Sequence, residues 1–116
     1  MSPTLRVTLG QHSQAGRKAI NQDFHGVRIP LDPLLNTKGI AIALADGIGS
    51  SSVSQIASEF AVMGLLDDYY CTSDAWSVKK SVERVLTATN AWLHSRTRQS
   101  QYRYDKDKGY ICTLSA

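Results

Sequence analysis

The stretch Ile40-Ala41-Ile42-Ala43-Leu44-Ala45-Asp46-Gly47-Ile48-Gly49 decides how this chain is read. Its near-continuous apolar run suits a strand covered on both faces, and it stops at Asp46-Gly47. A carboxylate at the end of such a strand is expensive unless it is paired, hydrogen-bonded or bound to a metal, which makes Asp46 a candidate ligand. Gly47 and Gly49 let the backbone turn sharply and let carbonyl oxygens approach a hard cation such as Mg²⁺ or Mn²⁺. Asp-Gly is also a common turn, so the stretch alone leaves both readings open.

Downstream, Ser52-Val53-Ser54-Gln55 has the form of a capping box. It opens a helix whose buried stripe is expected to be Val53, Ile56, Ala57, Phe60, Ala61 and Gly64, running to about Asp68. Asp74 is positioned to cap a second helix, with Val78, Val82, Val85, Thr89 and Trp92 recurring at three or four residues and an end between His94 and Ser100. A polar linker follows, and Gly109 to Ala116 begins a further strand. Such a strand needs a partner for its backbone groups, so a continuation of the sheet beyond Ala116 is expected.

Upstream, Thr4 to Gly10 alternates, with Leu5, Val7 and Leu9 on one side, and reads as a first strand. Phe24, Val27 and Ile29 read as a short second strand ended by Pro30 and Pro33, with a loop through Asn36 to Gly39 before the apolar run. The resulting order, β-β-β-α-α-β, alternates too little for a doubly wound parallel sheet and points to an α+β layered arrangement.

The chain has 116 residues, 42% of them apolar and 20% charged, the size and composition of one soluble domain. No apolar run approaches membrane-spanning length, and no leader is visible, so a cytoplasmic protein without membrane contact is expected. Cys71 and Cys112 lack metal or redox spacing and read as reduced, buried thiols. The net charge of +3 comes largely from Arg96, Arg98, Arg103, Lys106 and Lys108. Without an accompanying motif these read as a solvated helix end and loop rather than a nucleic-acid surface. His12, His25 and His94 share no metal spacing. Trp76, Trp92, Tyr69 and Tyr70 are expected in core packing.

A second polar cluster, Gly16-Arg17-Lys18-Ala19-Ile20-Asn21-Gln22-Asp23, offers two cations and a carboxylate, which suits holding a phosphate beside metal-bound water. Taken together, Gly-x-(Arg/Lys)-x-x-Asn-(Glu/Gln)-Asp, an apolar strand ending in Asp-Gly-x-Gly, two helices, and Gly109-x-x-x-Thr113 at a new strand resemble the first half of the PP2C-type metal-dependent protein phosphatases. Asn21-Gln22-Asp23-Phe24 and the serine-rich Ser50 to Ser54 look most like bacterial members, some of which carry a kinase domain in the same polypeptide.

The resemblance implies residues 1–116 as the N-terminal part of one phosphatase domain, a partial β-sandwich with two antiparallel helices on one side. It implies hydrolysis of phosphoserine and phosphothreonine in proteins by the complete domain, through two Mn²⁺ or Mg²⁺ ions. Asp46 would bridge the metals, the Gly47 carbonyl would bind one, and Asp23 would support the centre through water. Lys18 falls where the family grips phosphate, and it supplies a point charge in place of the planar fork of arginine. Gln22 stands where Glu is frequent, Ser50 where many relatives have glycine, and the family's later acidic motifs have no counterpart here. The fragment itself is therefore expected to be inactive and to self-associate through unpaired strand edges. The alternative expectation is a regulatory or binding module that kept the fold and lost catalysis.

Overall fold

A computed structural model describes residues 5–49, 53–100 and 109–116. The fold is α+β. Strand β1 (Asp23–Arg28) is followed by a short helix α1 (Leu34–Lys38), strand β2 (Ala41–Gly47), helix α2 (Val53–Asp68), a 3₁₀ turn (Tyr69–Cys71), helix α3 (Val78–Gln99) and strand β3 (Cys112–Ser115). The strands form one antiparallel sheet in the order β1-β2-β3.

The sheet sorts its side chains by register. Phe24 pairs with Ala45 and Gly26 with Ala43, while Leu114 pairs with Ala45 from the other side. These positions share the face that α2 covers, where Ala43, Ala45, Ala61, Val62, Leu65, Leu66, Tyr69 and Val85 form the core. Small residues on β2 let the helix approach, and Val62 and Leu66 fill the space above Gly26. The opposite face holds His25 and Val27 from β1 with Ile42 and Leu44 from β2, the last two more than half exposed. The apolar run is thus covered on one face, not both.

Helix α3 packs on the outside of α2. Phe60 meets Trp92 and Gly64 approaches Thr89, a pairing of rising with falling residue numbers that makes the two helices antiparallel. Tyr69 anchors the turn between them, donating from its hydroxyl to the Lys38 carbonyl at 2.6 Å. Tyr70 donates to the Gly39 carbonyl at 2.8 Å, so α1 and the end of β1 are tied to the helical layer.

Several expectations are corrected. Residues 5–10 form no strand and are exposed, because alternation supplies side chains of the right kind but no neighbouring ladder. The expected loop before β2 contains α1. The last strand is not unpaired: β3 bonds along β2. The order is therefore β-α-β-α-α-β apart from the 3₁₀ turn, and a second sheet to complete a sandwich is not found among the described residues.

The stripe facing the core of α2 is Ser54, Ala57, Ser58, Ala61, Val62, Leu65 and Leu66; Ile56 and Phe60 lie outside it. On α3 the cap is Ser77, whose hydroxyl accepts from the Lys80 amide at 3.1 Å, and Asp74 lies in the preceding turn. Val78 is exposed, and so are Trp92 and Cys71, with Trp76 half-buried under the cations of Lys80 and Arg84. The capping serine Ser52, the departure at Ser50, and Arg103, Lys106 and Lys108 fall outside the described residues. Among those described, no helix is long and apolar enough to cross a membrane.

Candidate functional site

The site is built where β1 begins and β2 ends. Asn21 accepts the Asp23 amide on its side-chain oxygen at 3.1 Å and donates from its Nδ2 to Ser13 at 2.8 Å, a local turn that sets the first residue of the strand. Antiparallel register then puts Asp23 directly across from Asp46. On the other side of Asp46 stands Thr113 of β3. Asp23, Asp46 and Thr113 are all exposed on the sheet face that α2 does not cover. Asp46 faces solvent, and strand register brings it against Asp23 of the Asn21-Gln22-Asp23 segment.

The Asp46 side chain acts on Asp23. Asp23 is raised above the usual carboxylate value of 3.8, first by a hydrogen bond with the Asp46 side chain, then by desolvation and by the negative charge of Asp46. A hydrogen bond between two carboxyls requires that one keep its proton, which is the physical content of the rise. The Lys18 ammonium lies near enough to pull in the opposite direction. Cys112 is likewise held protonated, mainly by burial and then by Asp46, which disfavours a thiolate nucleophile.

The turn after Asp46 is clamped from three directions. The Gly47 amide donates to the Gln22 carbonyl at 3.0 Å, and the Ile48 amide donates to the Ile111 carbonyl at 2.9 Å. Gln22 reaches over with its side-chain amide and donates to the Gly49 carbonyl at 2.9 Å. A carboxylate at residue 22 has no proton to give there, so the glutamine acts in holding the turn. Ser54, fully buried at the start of α2, donates to the Ile48 carbonyl.

Glycine is required at two points of this turn. A Cβ on Gly47 would come within 2.7 Å of the Ser54 carbonyl oxygen, and Gly49 has φ of 97°. Gly47 thus serves first to let α2 pack against the strand end.

Among the described residues, no three His, Cys, Asp or Glu side chains gather as a metal-ligand group. The Asp23–Asp46 pair still fits a hard divalent cation, since Mg²⁺ is often held by one or two carboxylates with the remaining positions taken by water. Of the residues expected at the site, the structure pairs Asp23 with Asp46, while Lys18 acts on Asp23 only through its charge. Gly47 is at the same strand end, in a packing role. Thr113, beside Asp46, belongs to the Gly109-x-x-x-Thr113 pattern, which assigns it no role and carries no register by itself. His12 and His94 are exposed, and His25 lies on the same sheet face as Asp23, half-buried, two residues along. Comparison with protein-family models, with curated proteins and with solved structures finds no match for this chain.

Proposed function

We propose that this chain forms the N-terminal part of a metal-dependent protein phosphatase domain that hydrolyses phosphoserine and phosphothreonine, Asp23 and Asp46 being its contribution to a Mn²⁺ or Mg²⁺ centre. The observation that carries the reading is the direct apposition of these two carboxylates, with the Lys18 ammonium within electrostatic reach. Bringing like charges together costs stability, and the arrangement makes chemical sense when a cation shares it.

Divalent ions bound there would acidify a water for attack on phosphorus and offset charge on the phosphate. The chain's own residues do the rest. Asp46 and Asp23 supply the anionic oxygens, and the clamped Gly47 to Gly49 turn keeps Asp46 from swinging away. Lys18 offers its charge to the phosphate oxygens. Two carboxylates do not close a two-metal site, so this chain alone is expected to be inactive. The companion reading, a regulatory module without turnover, is favoured by Lys18 in place of arginine and by the amide of Gln22 that is committed to Gly49.

The test uses a polypeptide continuing past Ala116. Phosphate release from a phosphothreonine peptide should require Mn²⁺ or Mg²⁺ and be abolished by Asp46→Ala. Turnover without divalent cation would overturn the mechanism, while Mn²⁺ binding without turnover would favour the regulatory reading.

A further inference from the structure

Helix α3 ends beside residues 109–111, the segment that leads into β3, and one side chain joins the two. Thr97, in the last turn of α3, donates its hydroxyl proton to the Leu93 carbonyl at 3.1 Å and accepts from the Tyr110 amide at 3.0 Å. The two bonds support each other, because a proton committed to Leu93 leaves the oxygen lone pairs for the incoming amide. Gly109 passes so close that a Cβ there would lie 2.8 Å from the Thr97 methyl carbon and 3.3 Å from its hydroxyl oxygen. Glycine at residue 109 is what lets this segment reach Thr97. The Arg96 guanidinium, 5.7 Å from the centre of the Tyr110 ring, adds a second contact between the same two segments.

From this junction the contacts run on to the turn behind Asp46. The Ile111 carbonyl accepts the Ile48 amide at 2.9 Å. The Gly109 carbonyl lies 3.4 Å from the Ser54 hydroxyl, which also donates to the Ile48 carbonyl. Both backbone groups of Ile48 are thus held by partners that touch or belong to residues 109–111. Thr97 itself makes no hydrogen bond to Asp23 or Asp46, so its influence on them passes through that segment.

We propose that Thr97 is a positioning residue for the turn that follows Asp46, acting through residues 109–111. A carboxylate at a strand end is held only as well as the turn behind it, and a binding constellation is degraded by small displacements of its support. Loss of the Thr97 hydroxyl leaves the Tyr110 amide without its acceptor, which frees the segment that grips Ile48. The hold on the turn stands on these contacts alone. Its consequence for a bound cation rests on the phosphatase reading given above.

Amide hydrogen exchange followed by NMR on the 116-residue chain tests the proposal, since it reads the opening of each hydrogen bond separately. The Ile48 amide reports the turn, and the amides of Val62 and Leu65, inside α2, report the core. Thr97→Val keeps the side-chain shape without the hydroxyl. It should speed exchange at Ile48 about tenfold beyond any change at Val62 and Leu65. Thr97→Ser keeps the hydroxyl and should restore protection at Ile48. Gly109→Ala pushes the segment away from Thr97 and should act on Ile48 as Thr97→Val does. Equal acceleration at all three amides, an unchanged Ile48, no rescue by Thr97→Ser, or loss of helical circular dichroism in Thr97→Val would overturn the proposal. Calorimetric titration with Mn²⁺ adds the functional consequence: the dissociation constant should rise in Thr97→Val and not in Thr97→Ser. A wild-type chain that binds no Mn²⁺ would count against the phosphatase reading, while exchange at Ile48 still decides the role of Thr97.

Discussion

Asp23 and Asp46 face one another across the β1–β2 ladder, and the Asp46 side chain raises Asp23 above its ordinary range. The folded-state value of Asp23 exceeds the unfolded one, so this group favours folding below the unfolded pKa and loses that contribution as pH rises through the folded value. At neutral pH the two charges repel. Asp23→Asn should therefore raise the thermal midpoint at pH 7 and change it little at about pH 3, below the ordinary value of 3.8 from which Asp23 is raised. Thermal unfolding at the two pH values checks the sign. Adding Mn²⁺ at pH 7 should stabilise the wild type more than this variant, as the proposed ligand role requires.

Gln22 is nearly buried, and its donor faces the Gly49 carbonyl. Gln22→Glu should cost about 1–3 kcal/mol at pH 7, because it sets an ionised oxygen against a carbonyl. The penalty should shrink in acid, where a protonated carboxyl can donate in the amide's place. Urea unfolding of the variant at pH 7 and pH 4 measures both parts.

The cap of α3 separates two neighbouring candidates. Ser77 has extended backbone and accepts from the Lys80 amide, whereas Asp74 sits outside the helix. Ser77→Ala should lower stability by about 1 kcal/mol, and Asp74→Ala should be close to neutral by the same measurement. Equal losses would show that the cap is shared.

Ser81 gives the opposite expectation. Its hydroxyl is buried in α3 with no hydrogen-bond partner among the described residues, and its side chain is 1% exposed. A desolvated, unsatisfied hydroxyl is a cost carried by the native state, and alanine is the better helix former. Ser81→Ala should stabilise the protein by about 0.5–1 kcal/mol in denaturant unfolding.

The elements that sequence made legible are those with local causes. The apolar run at 40–45 became β2, and the periodic apolar patterns became α2 and α3, with limits near those expected. Leu5, Val7 and Leu9 misled because alternation describes side chains, whereas a strand exists only when a neighbour receives its hydrogen bonds. Helix α2 misled differently. With Ile56, Phe60 and Met63 on one side and Val62, Leu65 and Leu66 on another, periodicity marks a helix without saying which apolar stripe is inside. Ser54, Ser58 and Ser81 occupy buried positions that a hydrophobicity pattern assigns to larger apolar residues.

For the site, the residue types and their order were written in the chain: a carboxylate closing a buried-type strand, glycines after it, and Asn21-Gln22-Asp23 ahead. Their meeting was not. The pairing of residue 23 with residue 46, the placement of Thr113 on the far side, and the use of Gln22 to hold Gly49 all depend on strand register and on how closely α2 sits over Gly47. Those are long-range quantities, set by backbone hydrogen bonds and packing between segments that local propensity cannot bring into correspondence.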